Sequence, residues 1–185
     1  GEAFHFNRHQ STGNRIVNNI FRANSAHAVE FQTSTAVNSI LESNYNNLFT
    51  SGSFLVRDVS AYYGTLEQWR TASGFETNSV FFDPQFASNT SLYASAPGIA
   101  SAGKNLFSVV PADIDGTART ITPSIGANQF SAAALTPLSG TYTVGTGQTY
   151  TTINAAIDAM KVNGINGPVT FLLSSQTFAE RFILP

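Results

Sequence analysis

The sequence predicts an all-β fold in which short strands stack in parallel to form a solenoid, and two observations lead to that prediction. The motif NNIF at residues 18–21 returns as NNLF at 46–49, 28 residues later, and a weaker copy, NSVF, follows at 78–81. A fixed period of this length is typical of stacked units that cannot bury their apolar faces alone. Apolar runs of four to six residues alternate with Asn, Ser, Gly and Thr, about three runs per period, as short strands require. We therefore expect the phenylalanines that end the three copies to share one interior column.

The composition indicates a folded protein and limits the classes of partner that we expect it to bind. The 185 residues are 42% hydrophobic and include 15 Phe, enough for a substantial core. Only 11% of the residues are charged, against about 25% in typical domains. The formal net charge is -2 and the basic residues are scattered, so we expect no nucleic-acid partner. The chain has no cysteine and no apolar run near the roughly 20 residues of a membrane-spanning helix.

Asparagine recurs at equivalent places in the three copies, at Asn19, Asn47 and Asn78. Stacked turns would bring these side chains about 4.8 Å apart, where they could form a ladder of amide hydrogen bonds. The alternative is that asparagine only tolerates a left-handed turn between strands. Both interpretations are structural.

One helix is expected to interrupt the first 86 residues. Thr65 and Gln68 have the spacing of a capping box, in which each residue binds the other's backbone amide. Leu66 and Trp69 would share the apolar face, and Gly74 follows the last turn, as is typical of a helix end.

The remaining chain predicts a cap, a linker and a second unit. Residues 83–130 have little periodicity, and we expect them to cover the open end of the solenoid. Residues 131–140 are expected to be a linker. Residues 141–185 then predict a strand, a turn, a helix with Thr151 or Thr152 as its N-cap, and a buried strand. A helix before the first strands would seal the start of a second solenoid.

The motifs resemble those of a known family. Residues 46–49, 63–69 and 78–86 resemble the closing turns of right-handed parallel β-helix proteins, the pectate-lyase-like surface and secreted proteins of Bacteroidetes-type bacteria. Residues 113–130 are similar to the end-cap signature of that family, and 140–171 to the opening of another such domain. Together these segments cover nearly the whole chain.

The resemblance implies a domain organisation. Residues 1–130 would be the C-terminal turns and end cap of one right-handed parallel β-helix, and 141–185 the capping helix and first strands of a second β-helix domain. Both chain ends interrupt a strand pattern, so we expect the chain to be a piece of a longer protein. The chain departs from the end-cap signature at Ser124, Asn128 and Gln129, where the family carries acids.

The resemblance also implies a location and a function. It implies export, through the type IX route, to the outer cell surface or the extracellular space. The leading hypothesis is a structural or adhesive segment of a large exported protein that carries no catalytic residues itself. The alternatives are part of a polysaccharide lyase or glycoside hydrolase whose catalytic turns lie upstream, and a glycan-binding module.

An aromatic cluster is the first candidate site. Tyr62, Tyr63 and Trp69 could form a platform on which sugars stack. Because Trp69 shares the apolar helix face with Leu66, burial is the favoured interpretation for Trp69. Tyr62 and Tyr63 alternate along a strand, so one of the two should face outward.

A pair of acids is the second candidate site. Asp113 and Asp115 are close in sequence and could contribute to a Ca²⁺ site, which needs six to eight oxygen ligands. The favoured alternative is a turn in which one of these acids binds backbone amides and pairs with Arg119. We therefore expect no resident cofactor, with Ca²⁺ as the alternative.

Two other patterns have a functional and a simpler interpretation. Glu30 and Glu42 could approach on neighbouring strands as a glycosidase pair, although solvated surface acids are favoured. His5 and His9 have the spacing of helical zinc ligands, and His27 stands alone. Surrounding residues are strand-like, so surface histidines are favoured there.

Overall fold

A computed structural model describes residues 1–7, 12–33, 36–131 and 136–180. The chain divides into two compact units, residues 1–132 and 133–185.

The described part of the first unit consists of short strands followed by a helix and a long irregular segment. The strands have three to five residues each. They are β1 (Phe4–Phe6), β2 (Asn14–Val17), β3 (Ile20–Ala23), β4 (Val29–Phe31), β5 (Ile40–Asn44), β6 (Asn47–Thr50), β7 (Val56–Asp58) and β8 (Ala61–Tyr63), with helix α1 at Leu66–Ser73.

These strands pair in three separate sheets. One sheet has the order β1-β4-β7-β8, and β2-β5 and β3-β6 form two-stranded sheets. The pairs β1-β4, β4-β7, β2-β5 and β3-β6 are parallel. The last pair, β7-β8, is an antiparallel hairpin. Val59, in its turn, has a left-handed backbone with φ of 54°.

The predicted all-β parallel β-helix solenoid is wrong. The described residues form a small α/β structure with short strands in separate small sheets and two α-helices, and no sheet closes or continues as a solenoid. Regular parallel pairing is interrupted: after β7 the chain reverses into β8 and then enters α1, and beyond α1 a single parallel bridge joins Val80 to Asn47. Residues 83–129 add no strand within the described part of the chain, where one antiparallel bridge joins Ala112 to Ala118. A few parallel strands of three to five residues are too short a stack to propagate without further turns.

The predicted phenylalanine column is also wrong, because the strand register differs from the sequence repeat by one residue. Phe21 is opposite Leu48, and Arg22 is opposite Phe49. Since side chains alternate across a sheet, a slip of one residue sends Phe21 and Phe49 to opposite faces. Phe21 packs against Phe4, with ring centroids 5.1 Å apart, whereas Phe49 packs against Phe81 at 5.3 Å.

Asparagine both forms hydrogen bonds between strands and tolerates a turn. The Asn46 Oδ1 atom accepts hydrogen bonds from the backbone amide of Asn19 at 2.9 Å and from its side chain at 3.3 Å. Asn47 instead binds the backbone of Phe82 through both side-chain atoms, at 2.9 Å each. Asn18 adopts the left-handed conformation, with φ of 61°. Instead of the predicted ladder of Asn19, Asn47 and Asn78, a single amide contact therefore joins Asn19 to Asn46, 27 residues apart.

Helix α1 confirms the predicted capping box. The Thr65 side chain accepts a hydrogen bond from the Gln68 amide, and the Gln68 side chain accepts from the Thr65 amide. Gly74 closes the helix in the left-handed conformation, with φ of 75°, which glycine adopts without steric cost. Leu66 and Trp69 are the buried residues of the helix. They join the main core, which also contains Ala28, Val29, Phe31, Ala36, Ile40, Leu48, Leu55 and Val56.

The irregular segment after residue 82 has its own small core. Ala94, Ala96, Ile99 and Ile125 are buried together, and Ile20 of β3 packs against them. A short 3₁₀ helix, Pro97–Ile99, lies in this region. A Cβ atom on Gly98 would lie 2.4 Å from the Phe82 ring, so glycine permits this close contact.

The second unit contains a βαβ element. Strand β9 (Leu138–Val144) pairs in parallel with β10 (Ile165–Leu173), and helix α2 (Ile153–Asn163) lies between them in the chain. Thr152 caps α2 by accepting a hydrogen bond from the Ala155 amide. The predicted start of a second β-helix is wrong, because the helix connects two paired strands rather than preceding them. The predicted buried strand is β10, whose described residues are exposed or half-buried.

Candidate functional site

The candidate site is the outer face of the four-stranded sheet. His5 is opposite Glu30, Glu30 is opposite Arg57, and Arg57 is opposite Tyr62. Neighbouring strands lie about 4.8 Å apart, so the four side chains form one row across the sheet. We call these four residues the polar row. The adjacent row faces the core and consists of Phe4, Val29, Val56 and Tyr63.

An exposed aromatic patch lies at one end of the polar row. The Tyr62 ring centroid is 5.1 Å from that of Phe54 and 5.6 Å from that of His27. The Arg57 guanidinium carbon lies 5.7 Å from the centre of the Tyr62 ring, within reach of a cation–π interaction. Tyr62 is 49% exposed and Phe54 is 42% exposed. His27, Phe54 and Tyr62 are called the aromatic patch below.

Backbone hydrogen bonds position this patch. The Ala28 amide donates to the Leu55 carbonyl at 2.9 Å, which places the residues before β4 beside those before β7. His27 therefore lies next to Phe54, and the His27 Nδ1 atom is 3.3 Å from the Phe54 carbonyl oxygen. The β7-β8 hairpin then brings Tyr62 back over Phe54. Three residues distant in sequence thus converge on one exposed surface.

The three aromatic residues that the sequence singles out have different environments. Trp69 is 2% exposed and stacks on Phe31, with ring centroids 5.4 Å apart and planes 23° apart. Tyr63 is half-buried and packs against Trp69 at 5.2 Å. Only Tyr62 of these three is exposed. Sequence reasoning did not predict Phe54 and Arg57 as neighbours of Tyr62. The repeat length of about 27 to 28 residues could have indicated that His27 lies beside Phe54.

Charges along the polar row neutralise one another. Glu30 is 3% exposed, and its carboxylate accepts a hydrogen bond from the Arg57 Nη1 atom at 2.6 Å. The Arg57 Nε atom donates to the Val59 carbonyl at 2.9 Å. Arg57 is thereby held at two points beside the Tyr62 ring. The pKa of the Glu2 carboxyl lies below its ordinary value. A hydrogen bond to the Glu2 backbone is the main cause, and an interaction with the Glu30 side chain is the next.

Asp113 and Asp115 lie in a loop stabilised by hydrogen bonds. The Asp113 Oδ1 atom accepts from the amides of Asp115 at 2.9 Å and Thr117 at 2.8 Å, and Oδ2 accepts from the Gln129 amide at 2.7 Å. These amides, the Gln129 amide first, lower the pKa of Asp113. The Tyr93 hydroxyl donates to Asp115 at 2.8 Å. Both oxygens of Asp113 thus already accept backbone hydrogen bonds, the arrangement of an acid that fixes a turn.

Hydrogen bonds from Arg119, Ser124 and Asn128 fix the end of that loop. Arg119 donates to the carbonyls of Ser124 at 3.0 Å and of Gly126 at 2.7 Å, rather than pairing with an aspartate. The buried Ser124 hydroxyl donates to the Ala100 carbonyl at 2.7 Å. The Asn128 side chain bonds the backbone of Ala94 in both directions, at 3.1 and 3.2 Å.

Glu30 and Glu42, considered above as a carboxyl pair, lie in different sheets. Glu42, on β5, accepts hydrogen bonds from Lys104 and Arg15, which lower its pKa, the Lys104 bond most. Glu30 belongs to another sheet and pairs with Arg57, so the two glutamates have separate partners. His9 lies outside the described residues.

A buried carboxyl lies inside the core behind the sheets. Glu76 is 2% exposed and has a left-handed backbone with φ of 60°. Its carboxyl accepts hydrogen bonds from the hydroxyls of Ser43 and Ser79 and from the Asn46 amide at 3.1 Å. Burial raises the pKa of Glu76 against the opposing effect of these donors. Arg70 of α1 donates to the Glu76 backbone carbonyl at 2.8 Å. Glu76 therefore connects α1 with Ser43 of β5 and with Asn46 in the turn before β6.

Comparison of the chain with protein-family models, with curated proteins and with solved structures finds no match. Within the described ranges, no helix is both long enough and apolar enough to cross a membrane.

Proposed function

We propose that this chain is a non-catalytic, adhesive segment of an exported cell-surface protein, and that it contacts carbohydrate through the aromatic patch. The observation that supports the proposal is the exposure of the Phe54 and Tyr62 rings side by side on a sheet face. Export and surface location rest on the weakly charged composition, rich in Ser, Thr and Asn, and on the family resemblance.

The chemistry of the patch suits a sugar. The C–H faces of a pyranose are apolar and pack on aromatic rings, while its hydroxyls need planar hydrogen-bond partners at the edge. Phe54 and Tyr62 offer the rings, and His27 and Arg57 lie at their border. Tyrosine and arginine, with tryptophan, are enriched among the residues that dominate the binding energy of protein interfaces. An open sheet face of this kind favours an extended polysaccharide over a small enclosed ligand.

The positions of Glu30 and Glu42 favour binding over hydrolysis by that pair. A glycosidase needs two carboxyl groups about 5 to 9.5 Å apart, one of them free to donate a proton. Glu30 and Glu42 lie in different sheets, and cationic side chains pair with both. This pair therefore gives no support to the lyase or hydrolase alternative.

A glycan array followed by affinity measurement tests the proposal. Each of the substitutions Tyr62→Ala and Phe54→Ala should weaken binding of the best glycan about 5- to 30-fold, because each removes about 1–2 kcal/mol of stacking contact. Tyr93→Ala is the matched control, since it removes another half-exposed tyrosine from outside the patch. Absence of glycan binding, or equal loss in the Tyr93 variant, would refute the proposal.

A further inference from the structure

Three potential metal ligands converge at the other end of the polar row. One ligand atom from each of Glu2, His5 and Glu30 lies within 4.8 Å of the other two. His5 and Glu30 are directly opposite on β1 and β4, so the sheet register itself holds these two together. We propose that Glu2, His5 and Glu30 form a binding site for a divalent transition-metal ion of the Zn²⁺ class.

The donor set suits this class of ion. Imidazole nitrogen and carboxylate oxygen are both ligand types that Zn²⁺ binds, and three protein ligands leave a fourth position open. Ca²⁺ prefers six to eight oxygen ligands and does not favour imidazole. The chain has no cysteine, so histidine and carboxylates are its strongest ligands for such an ion.

Side chains around the site orient two of the ligands. The His5 Nε2 atom lies 3.3 Å from the Gln32 Oε1 atom. When Nε2 donates that hydrogen bond, Nδ1 keeps the lone pair that a metal requires. Arg57 similarly holds one oxygen of the buried Glu30 carboxylate at 2.6 Å. Ligands in metal sites usually have outer hydrogen-bond partners of this type.

The geometry requires only small movements to close on an ion. Ligand atoms bound at about 2.0–2.1 Å in a tetrahedral site lie roughly 3.4 Å apart, less than the 4.8 Å limit found for this cluster. Glu2 and His5 are exposed side chains, so they can rotate toward the buried Glu30. The open fourth position would face solvent on the same side as the polar row.

Titration of the whole chain with Zn²⁺ by calorimetry tests the inference, with Co²⁺ absorption as a probe of the ligand set. We expect one ion per chain. His5→Ala and Glu2→Gln should each weaken binding at least about tenfold, and Gln32→Ala about 10- to 100-fold, as measured for outer partners elsewhere. Both Glu2 and His5 are exposed, so their loss leaves the fold intact, as circular dichroism should confirm.

The matched control is His27→Ala, which removes the half-buried histidine of the aromatic patch and none of the three proposed ligands. This variant should bind Zn²⁺ as tightly as the unmodified chain. The inference is overturned if Zn²⁺ does not bind at a defined ratio, if His27→Ala weakens binding as much as His5→Ala, or if Glu2→Gln has no effect. Binding of Ca²⁺ in preference to Zn²⁺ would also overturn it.

Discussion

Replacing Trp69 with alanine should destabilise the first unit by about 3–5 kcal/mol, the range typical of large-to-small changes at buried aromatic residues. Trp69 is 2% exposed and fills the space between Phe31 and Tyr63. Alanine would leave a cavity and remove both ring contacts. Because Trp69 is the single tryptophan, urea denaturation should be followed by circular dichroism rather than by fluorescence.

The matched control for Trp69 is Tyr62→Ala on the exposed side of the same aromatic region. Tyr62 is 49% exposed, so its loss should change the free energy of unfolding by no more than about 0.5–1 kcal/mol. The two variants separate a stability role from a binding role. A Trp69→Ala protein as stable as the original, with reduced glycan binding, would contradict the buried position of Trp69.

Replacing Glu76 with alanine should cost about 2–4 kcal/mol of stability. The carboxyl is the common acceptor for Ser43, Ser79 and Asn46, and a buried donor left without a partner costs about 1–3 kcal/mol. Relief of the burial cost of the carboxyl offsets part of that loss. Thermal and urea unfolding at neutral pH would measure the difference.

The surface acid Glu67 provides the control for Glu76. It pairs with Arg70 at 3.3 Å, and its side chain is 77% exposed. Exposed pairs contribute about 0–1 kcal/mol, so Glu67→Ala should be nearly neutral. Equal destabilisation in both variants would show that the buried network has no special role.

The same carboxyl should also make stability depend on pH. Burial raises the pKa of Glu76 above its ordinary value of 4.5. The folded state then binds the proton more tightly than the unfolded state, so the favourable contribution is complete below pH 4.5 and is lost as pH rises through the folded-state pKa. Glu76→Gln cannot titrate. Its stability relative to the original chain should therefore improve as pH is raised from 4 to 8, and an unchanged difference would contradict the raised pKa.

Local elements were predictable because their signals lie within a few residues. Thr65 and Gln68 complete their capping box, Gly74 ends α1, and Thr152 caps α2. Each of these features depends on hydrogen bonds within one helical turn and on the backbone freedom of glycine. The burial of Trp69 followed from its position on the helix face beside Leu66.

The candidate site was only partly predictable. Tyr62 was singled out, but its neighbours Phe54, His27 and Arg57 come from other strands or the turns before them. Glu30 likewise joins Glu2 and His5 only through pairing of β1 with β4. Such neighbours depend on strand register, which no short motif specifies.

The sequence by itself determined the helix boundaries, the apolar runs that become short strands, and the weakly charged, cysteine-free surface. The tertiary structure alone decided that β3 would pair with β6, and β4 with β7, at an offset of 27 residues, that the strands would form separate small sheets, and that α2 would connect two strands. The physical reason is that a repeated motif specifies side-chain type, whereas register depends on which faces bury together. A shift of one residue exchanges the two faces of a strand, and it sent Phe21 to the core and Phe49 to Phe81.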